Sequence, residues 1–184
     1  MRELQEKDLM ETVLTRETAA EGAFLRMEHW TVELPNGRQA GRDVLVHPGG
    51  AAVVAVDDEG RICLVRQCRV AFGRLMWEIP AGKLDAGGED PELAAHRELS
   101  EETGYTCGKM VKLGAWCPTP GCCTERLHAY LATELVPGDT HPDEDEFVQT
   151  RFFPMEEELD MIASGEIEDM KTVAAVLAAQ RYLK

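Results

Sequence analysis

Apolar residues along this chain fall into short, strand-sized runs separated by turn chemistry. Residues 51–56 (Ala-Ala-Val-Val-Ala-Val) are unbroken apolar sequence, the pattern of a strand buried on both faces. Asp57-Asp58-Glu59-Gly60 then turns the chain, and Ile62-Cys63-Leu64-Val65 returns it. Upstream, residues 30–46 read as two strands joined at Leu34-Pro35-Asn36-Gly37-Arg38, because Asn-Gly supplies the positive φ angles of a tight hairpin. Another strand is predicted over residues 76–79, ended by Pro80, and later strands near 111–116, 127–132 and 147–153. Asp90-Pro91 is a helix start, since Asp caps free N–H groups and Pro fits the first helical position; Gly104 suits the left-handed stop. Two closing helices are expected over residues 155–164 and 169–183, the second with an apolar stripe of Met170, Val173, Ala174 and Leu177. Strands dominate the middle and helices punctuate it, which predicts an α+β class: a mixed sheet sandwiched by helices, with residues 1–48 as a β-rich arm and 49–184 as the main domain.

Composition narrows the function. With 184 residues, 44% of them hydrophobic, the chain can bury one real core plus a modest appendage. The N-terminus carries both signs of charge and lacks the basic-then-apolar order of a secretory signal, and no apolar stretch is long enough to span a membrane, so a cytoplasmic location is expected. Six cysteines in a chain of this length read as free thiols rather than a disulfide scaffold. Cys117 with Cys122-Cys123 reproduces no C-x-x-C pair, which argues against structural zinc. A formal charge of −15 argues against long nucleic acids, whose phosphates need a basic surface. A small phosphorylated ligand remains possible, held by a few Arg side chains and by metal ions that reverse the local sign.

The segment Arg97-Glu98-Leu99-Ser100-Glu101-Glu102-Thr103-Gly104 carries the chemistry. At 100° per residue, Glu98, Glu101 and Glu102 share one helix face within about 100° of arc, while Ala95, Leu99 and Thr103 form the neighbouring buried stripe. Like charges at these spacings repel by roughly 0.2–0.5 kcal/mol per pair, which a cation would relieve. Hard divalent ions want oxygen ligands, and magnesium combines a few carboxylates with phosphate oxygens and water. Taken alone, such a face is more often simply solvated, and Arg97 is an ordinary intrahelical partner for Glu101.

The surrounding spacing changes the weighing. Gly82, six residues, Glu89, seven residues and then Arg97-Glu98-Leu99-Ser100-Glu101-Glu102-Thr103-Gly104-Tyr105 closely resembles the Nudix box, whose pattern is Gly, five residues, Glu, seven residues, Arg-Glu-apolar-any-Glu-Glu-any-Gly-apolar. One residue is extra, in Ala86-Gly87-Gly88 before the helix cap, where a bulged loop leaves the site intact. Tyr105 is a milder variation. The resemblance implies an α/β/α sandwich with a loop-helix-loop motif and a metal site. Glu98, Glu101 and Glu102 become ligand candidates, with the Ala81 carbonyl as a backbone ligand and Glu101 also a catalytic candidate. Gly82, Glu89, Arg97 and Gly104 take structural roles, and magnesium is the implied metal, with manganese as a substitute.

Outside the box the resemblance extends over nearly the whole chain, toward the ADP-ribose pyrophosphatase branch. Arg42-Asp43-Val44 with His47-Pro48-Gly49, Leu64-Val65-Arg66-Gln67-Cys68-Arg69, and Trp77-Glu78-Ile79-Pro80-Ala81-Gly82-Lys83-Leu84-Asp85 all look like that branch, although Cys68 stands where it usually has Tyr. Pro120, sixteen residues after Gly104, matches a proline position associated with ADP-ribose specificity; Pro118-Thr119-Pro120-Gly121 is also plain turn chemistry. The resemblance places Arg66, Gln67, Arg69 and Glu78 near the substrate, and an Arg fork suits a diphosphate. Trp77 is a stacking candidate better read as core. The acidic run Asp143-Glu144-Asp145-Glu146 implies a loop supplying Glu144 as general base and Glu146 as metal contact, with the two roles interchangeable, and Glu125 is a further contributor. The implied reaction is ADP-ribose to AMP and ribose 5-phosphate. The arm has no obvious core of its own, so a homodimer is expected, as is the branch's habit. A pyrophosphatase for another nucleoside-diphosphate sugar and a non-catalytic nucleotide-sensing domain are the alternatives, and the intact glutamates weigh against the latter.

Overall fold

The computed structural model describes residues 5–85, 88–141 and 147–183. The chain forms two compact units, one of Met1–Pro48 with Thr119–Glu125 and one of Gly49–Pro118 with Arg126–Lys184.

In the first unit β1 (Thr12–Glu21), β2 (Arg26–Glu33) and β3 (Gln39–Val46) make an antiparallel sheet in that order. The β2–β3 turn lies on Asn36-Gly37: Gly37 has φ 79° and its N–H donates to the Leu34 carbonyl, as the Asn-Gly pair requires. Every residue of β1 is exposed, and Val32 is the one buried hydrophobic of the described arm. Polar contacts hold the sheet instead. Trp30 Nε1 and Arg26 Nε both donate to the buried Glu28 carboxylate at 2.6 Å, and Arg16 lies over the Trp30 ring. Residues 119–125 belong here because Leu45 exchanges backbone bonds with Cys122 and Thr124.

The second unit is built on a mixed sheet with the order β10-β5-β4-β9-β8, on which β6 pairs with β5 and β7 with β4. The strands are β4 (Gly50–Val56), β5 (Arg61–Arg69), β6 (Arg74–Glu78), β7 (Ala81–Lys83), β8 (Tyr105–Trp116), β9 (Leu127–Pro137) and β10 (Gln149–Pro154). β4 and β9 are parallel, and the other pairings are antiparallel. All seven residues of β4 are buried, and its alternation divides two cores. Ala51, Val53 and Ala55 pack with Ala94, Ala95 and Leu99 of α1 (Pro91–Thr103). Ala52, Val54 and Val56 pack with Met161 of α2 (Met155–Ser164) and Ala175, Val176 and Ala179 of α3 (Met170–Ala179). Helices on both faces of a mixed sheet give the α/β/α sandwich of the expected class. Asp90 accepts from Glu92 and Leu93 N–H groups at the start of α1, and Gly104 ends it at φ 74°.

Several elements differ from the sequence expectations. Neither strand β1 nor the three-residue β7 was separately anticipated, and α3 buries Thr172, Ala175, Val176 and Ala179, whereas Met170 and Leu177 of the expected stripe are exposed. β8 begins at Tyr105, directly after the helix stop, rather than near 111, and this follows from pairing: β9 runs on past 132 and offers partners as far as Pro137 opposite Tyr105.

Candidate active site

The Pro80-Ala81-Gly82 segment crosses close to the last two turns of α1, and the residue types explain how closely. A Cβ on Gly82 would stand 2.0 Å from Glu98 Oε1, so any larger residue must push the Glu98 carboxylate aside where this backbone meets it. The Ala81 N–H donates to Glu102 Oε2 at 3.0 Å. Glu98 and Glu102 are both buried, and the Glu101 side chain is about one-third exposed, at 35%.

Arg97 is the hub of this cluster. Its Nη1 donates to Glu98 Oε1 at 2.7 Å and to Glu101 Oε2 at 3.0 Å. Its Nε and Nη2 fork onto Glu89, each at 3.1 Å, and Nη2 also reaches the Lys83 carbonyl at 3.2 Å. Glu89 accepts the Asp85 N–H as well, at 2.9 Å, so one carboxylate joins the loop before the helix to the helix itself. The Arg97 bonds hold the Glu89 carboxyl below the usual carboxylate range, with the Asp85 N–H adding to them. Arg97 in turn is pushed up, first by Glu89 and then by Glu98 and Glu101. Glu98 and Glu101 therefore meet at one cationic nitrogen, while Glu102 is turned to the Ala81 amide. Among the described residues, no three Asp, Glu, His or Cys side chains close on one point as a metal ligand set.

The substrate candidates divide between two faces of the β5–β6 hairpin. Val65 lies opposite Glu78 and Arg66 opposite Trp77, so Gln67, Arg69 and Glu78 share one face and Arg66 joins Trp77 on the other. Arg66 lies 5.4 Å from the Trp77 ring centroid, and its Nε is buried with no hydrogen-bond partner among the described residues. Trp77 is core, packed edge-on against Phe153 with centroids 5.0 Å apart. Glu78 is buried and taken by Arg69, which donates from Nε at 2.7 Å and Nη2 at 2.6 Å. Lys171 of α3 bonds the same carboxylate. Burial alone would raise Glu78, but the Arg69 and Lys171 bonds outweigh it and leave its carboxyl below the ordinary value.

Pro120 is an exposed residue of the turn in which Cys122 and Cys123 N–H groups donate to the Thr119 carbonyl, and it belongs with Glu125 to the first unit. Glu144, Glu146 and the extra residue's Ala86-Gly87 lie outside the described residues. Sequence reasoning overlooked Lys171, 93 positions from Glu78. No local pattern marks so distant a pair; only the capping Asp169 beside it carried a signal.

Residues 46–176 match the NUDIX domain family model. The ADP-ribose pyrophosphatase of Bacillus subtilis (strain 168) is 42% identical over 172 residues, 92% of each chain. The methanol dehydrogenase activator of Bacillus methanolicus is 40% identical over 178 residues, 95% of this chain and 96% of its own. A crystal structure of an ADP compounds hydrolase superposes with a TM-score of 0.84 at 22% identity, covering all of this chain and 97% of the other, a likeness of fold. With the family model spanning most of its length and Gly82, Glu89, Arg97, Glu98, Glu101, Glu102 and Gly104 at the positions of the box, this chain belongs to the NUDIX family.

Proposed function

We propose that the protein hydrolyses the diphosphate bridge of ADP-ribose, using a divalent metal ion, to give AMP and ribose 5-phosphate. The observation that carries this reading is the near full-length similarity to an ADP-ribose pyrophosphatase, with the box's acidic residues intact. In the reaction water attacks one phosphorus, the bridging P–O bond breaks, and the water's two protons are shared between the products and solvent.

The donor set fits a hard divalent cation. It is oxygen-only, and Glu98 and Glu101 already gather about a single positive nitrogen, that of Arg97. Glu98, Glu101, Glu102 and the Ala81 carbonyl would hold magnesium, or manganese in its place. Bound there, such an ion neutralises diphosphate oxygens and makes a bound water more acidic. The chain's own residues prepare that surface. Arg97 and Glu89 fix the helix to its loop, Gly82 lets the backbone reach Glu98, and the Ala81 N–H orients Glu102. Gln67 and Arg69 supply polar contacts for the phosphates on one face of the β5–β6 hairpin, and Arg66 supplies a further cation beside Trp77. Glu144 takes the proton from water, with Glu146 its neighbour in the same run.

The uncovered arm supports a homodimer: Val13, Leu14, Phe24 and Met27 are all exposed there. Six free thiols fit a reducing, cytoplasmic compartment, and no helix among the described residues is long and apolar enough to cross a membrane. The test is incubation with ADP-ribose and magnesium, with product identification beside a panel of other nucleoside-diphosphate sugars. AMP with ribose 5-phosphate is expected, and faster turnover of another panel member would reassign the substrate. Glu144→Gln should depress turnover more than Glu146→Gln; the reverse order exchanges their roles.

A further inference from the structure

The start of α3 is tied to the end of β6 by more charge than burial of one carboxylate requires. Glu78 is 2% exposed and takes the fork of Arg69 across both of its oxygens, which alone completes a bidentate pair. Lys171 adds a second cation to Glu78 Oε2, and its ammonium lies 2.9 Å from Asp169 Oδ2. Asp169 is in turn fixed as the cap of α3, accepting the Thr172 N–H at 3.0 Å and the Thr172 hydroxyl. The Thr172 hydroxyl oxygen accepts the Ile79 N–H at 2.9 Å. Lys171 and Thr172 of one helical turn thus grip Glu78, the last residue of β6, and Ile79 just after it, two positions before Ala81 meets Glu102.

Arg69 is the exposed member of this set, with 39% of its side chain open. Its Nε and Nη2 are spent on Glu78, which directs the remaining Nη1 away from the pair. How strongly the guanidinium is bound to Glu78, and so how much of its charge is left for a phosphate, depends on whether Glu78 has another cation to satisfy.

Resting on the function proposed above, we propose that Lys171 is a positioning residue for the diphosphate: by sharing the Glu78 carboxylate it limits the hold of Glu78 on Arg69 and keeps the outer edge of that guanidinium turned to phosphate. Lys171 does not touch substrate. Without it the whole charge of Glu78 falls to Arg69, which is drawn inward and loses its reach.

The test combines steady-state kinetics on ADP-ribose with calorimetric binding of its methylene-bridged, non-hydrolysable analogue. Lys171→Met should raise KM about tenfold and weaken analogue binding by the same factor, roughly 1.4 kcal/mol, with kcat within about twofold. Lys171→Arg should restore most of the loss. In an Arg69→Gln background, Lys171→Met should add almost nothing, because its route is already cut. Unchanged KM and affinity in Lys171→Met, a fall in kcat alone, or additive losses in the double variant would each overturn the proposal. If Lys171→Met does not fold, Lys171→Gln carries the same measurements, and failure of both to fold means that Lys171 only supports the fold, which also overturns it. Wild-type protein that neither cleaves ADP-ribose nor binds the analogue defeats the functional reading and this inference with it, an outcome distinct from an active wild type with a silent Lys171→Met.

Discussion

Strands β4 and β1 are opposites: all seven residues of Gly50–Val56 are buried, and all ten of Thr12–Glu21 are exposed. β4 is small and apolar throughout, so it takes helices on both faces and needs nothing beyond its own chain. β1 has full backbone pairing with β2 but leaves Val13 and Leu14 uncovered. Backbone hydrogen bonds contribute modestly in net, so a sheet with one buried hydrophobic is weakly held by its own contacts. The second unit therefore has a core of its own, whereas the arm leaves its apolar side chains exposed, which is what the homodimer proposed above would cover.

The contrast is tested most severely by a charge in β4. Val54→Asp places an unpaired carboxylate in a fully closed core, a cost comparable with the roughly 5–15 kcal/mol of a whole domain, and circular dichroism should show an unfolded chain. A folded variant would mean that β4 is not the keystone.

Glu158 is the native exception within this core. It is completely buried on α2, neither carboxylate oxygen has a hydrogen-bond partner among the described residues, and burial, with Glu157 nearby, pushes its carboxyl up to about 8. Since the folded protein holds this proton more tightly than the unfolded chain, the contribution is fully present below the ordinary value of 4.5 and is lost as pH rises through about 8. At about 1.4 kcal/mol per pKa unit that is several kcal/mol. Melting temperatures between pH 5 and 9 should fall more steeply for wild type than for Glu158→Gln, and parallel curves would remove Glu158 from the account.

Gly82→Ala sharpens the comparison at the site, where close packing serves chemistry. Its Cβ must displace Glu98, so turnover should drop on the order of 100-fold, about 2.7 kcal/mol, with a smaller change in melting temperature. Equal activity would show that Glu98 adapts freely. The smallest stability effect is expected in the arm. Leu14→Asp should move the protein's own stability by less than about 0.5 kcal/mol while shifting light-scattering mass from dimer toward monomer. A wild type that is strictly monomeric would end the argument for a covered arm.

Legibility in the sequence followed the same division. β4 announced itself as an unbroken apolar run and α1 by Asp90-Pro91 and Gly104, because these signals are local and the core enforces them. β1 offered no alternation, since neither face is buried and nothing selects one. In the site, the spacing put Glu98, Glu101 and Glu102 on one side of α1. By itself that spacing offered Arg97 only as an intrahelical partner of Glu101, and the resemblance added a structural role; the guanidinium spans Glu89, Glu98, Glu101 and the Lys83 carbonyl together. The separation of Arg66 from Arg69 was latent in strand alternation but needed the extent of β5, which is set by its partners β6 and β10. Lys171 was invisible because tertiary packing alone brings it to Glu78.

The bonds from Leu45 to Cys122 and Thr124 make completion of the arm wait on later synthesis. Although the arm's three strands are translated first, their last backbone partners leave the ribosome some eighty residues after Leu45. At 5–20 residues per second, that is roughly 4–16 seconds in which the nascent sheet stands with β1 bare and one side unfinished. The acidic residues Glu17 and Glu21 on that strand disfavour edge-to-edge pairing of two such chains on one message in the interval.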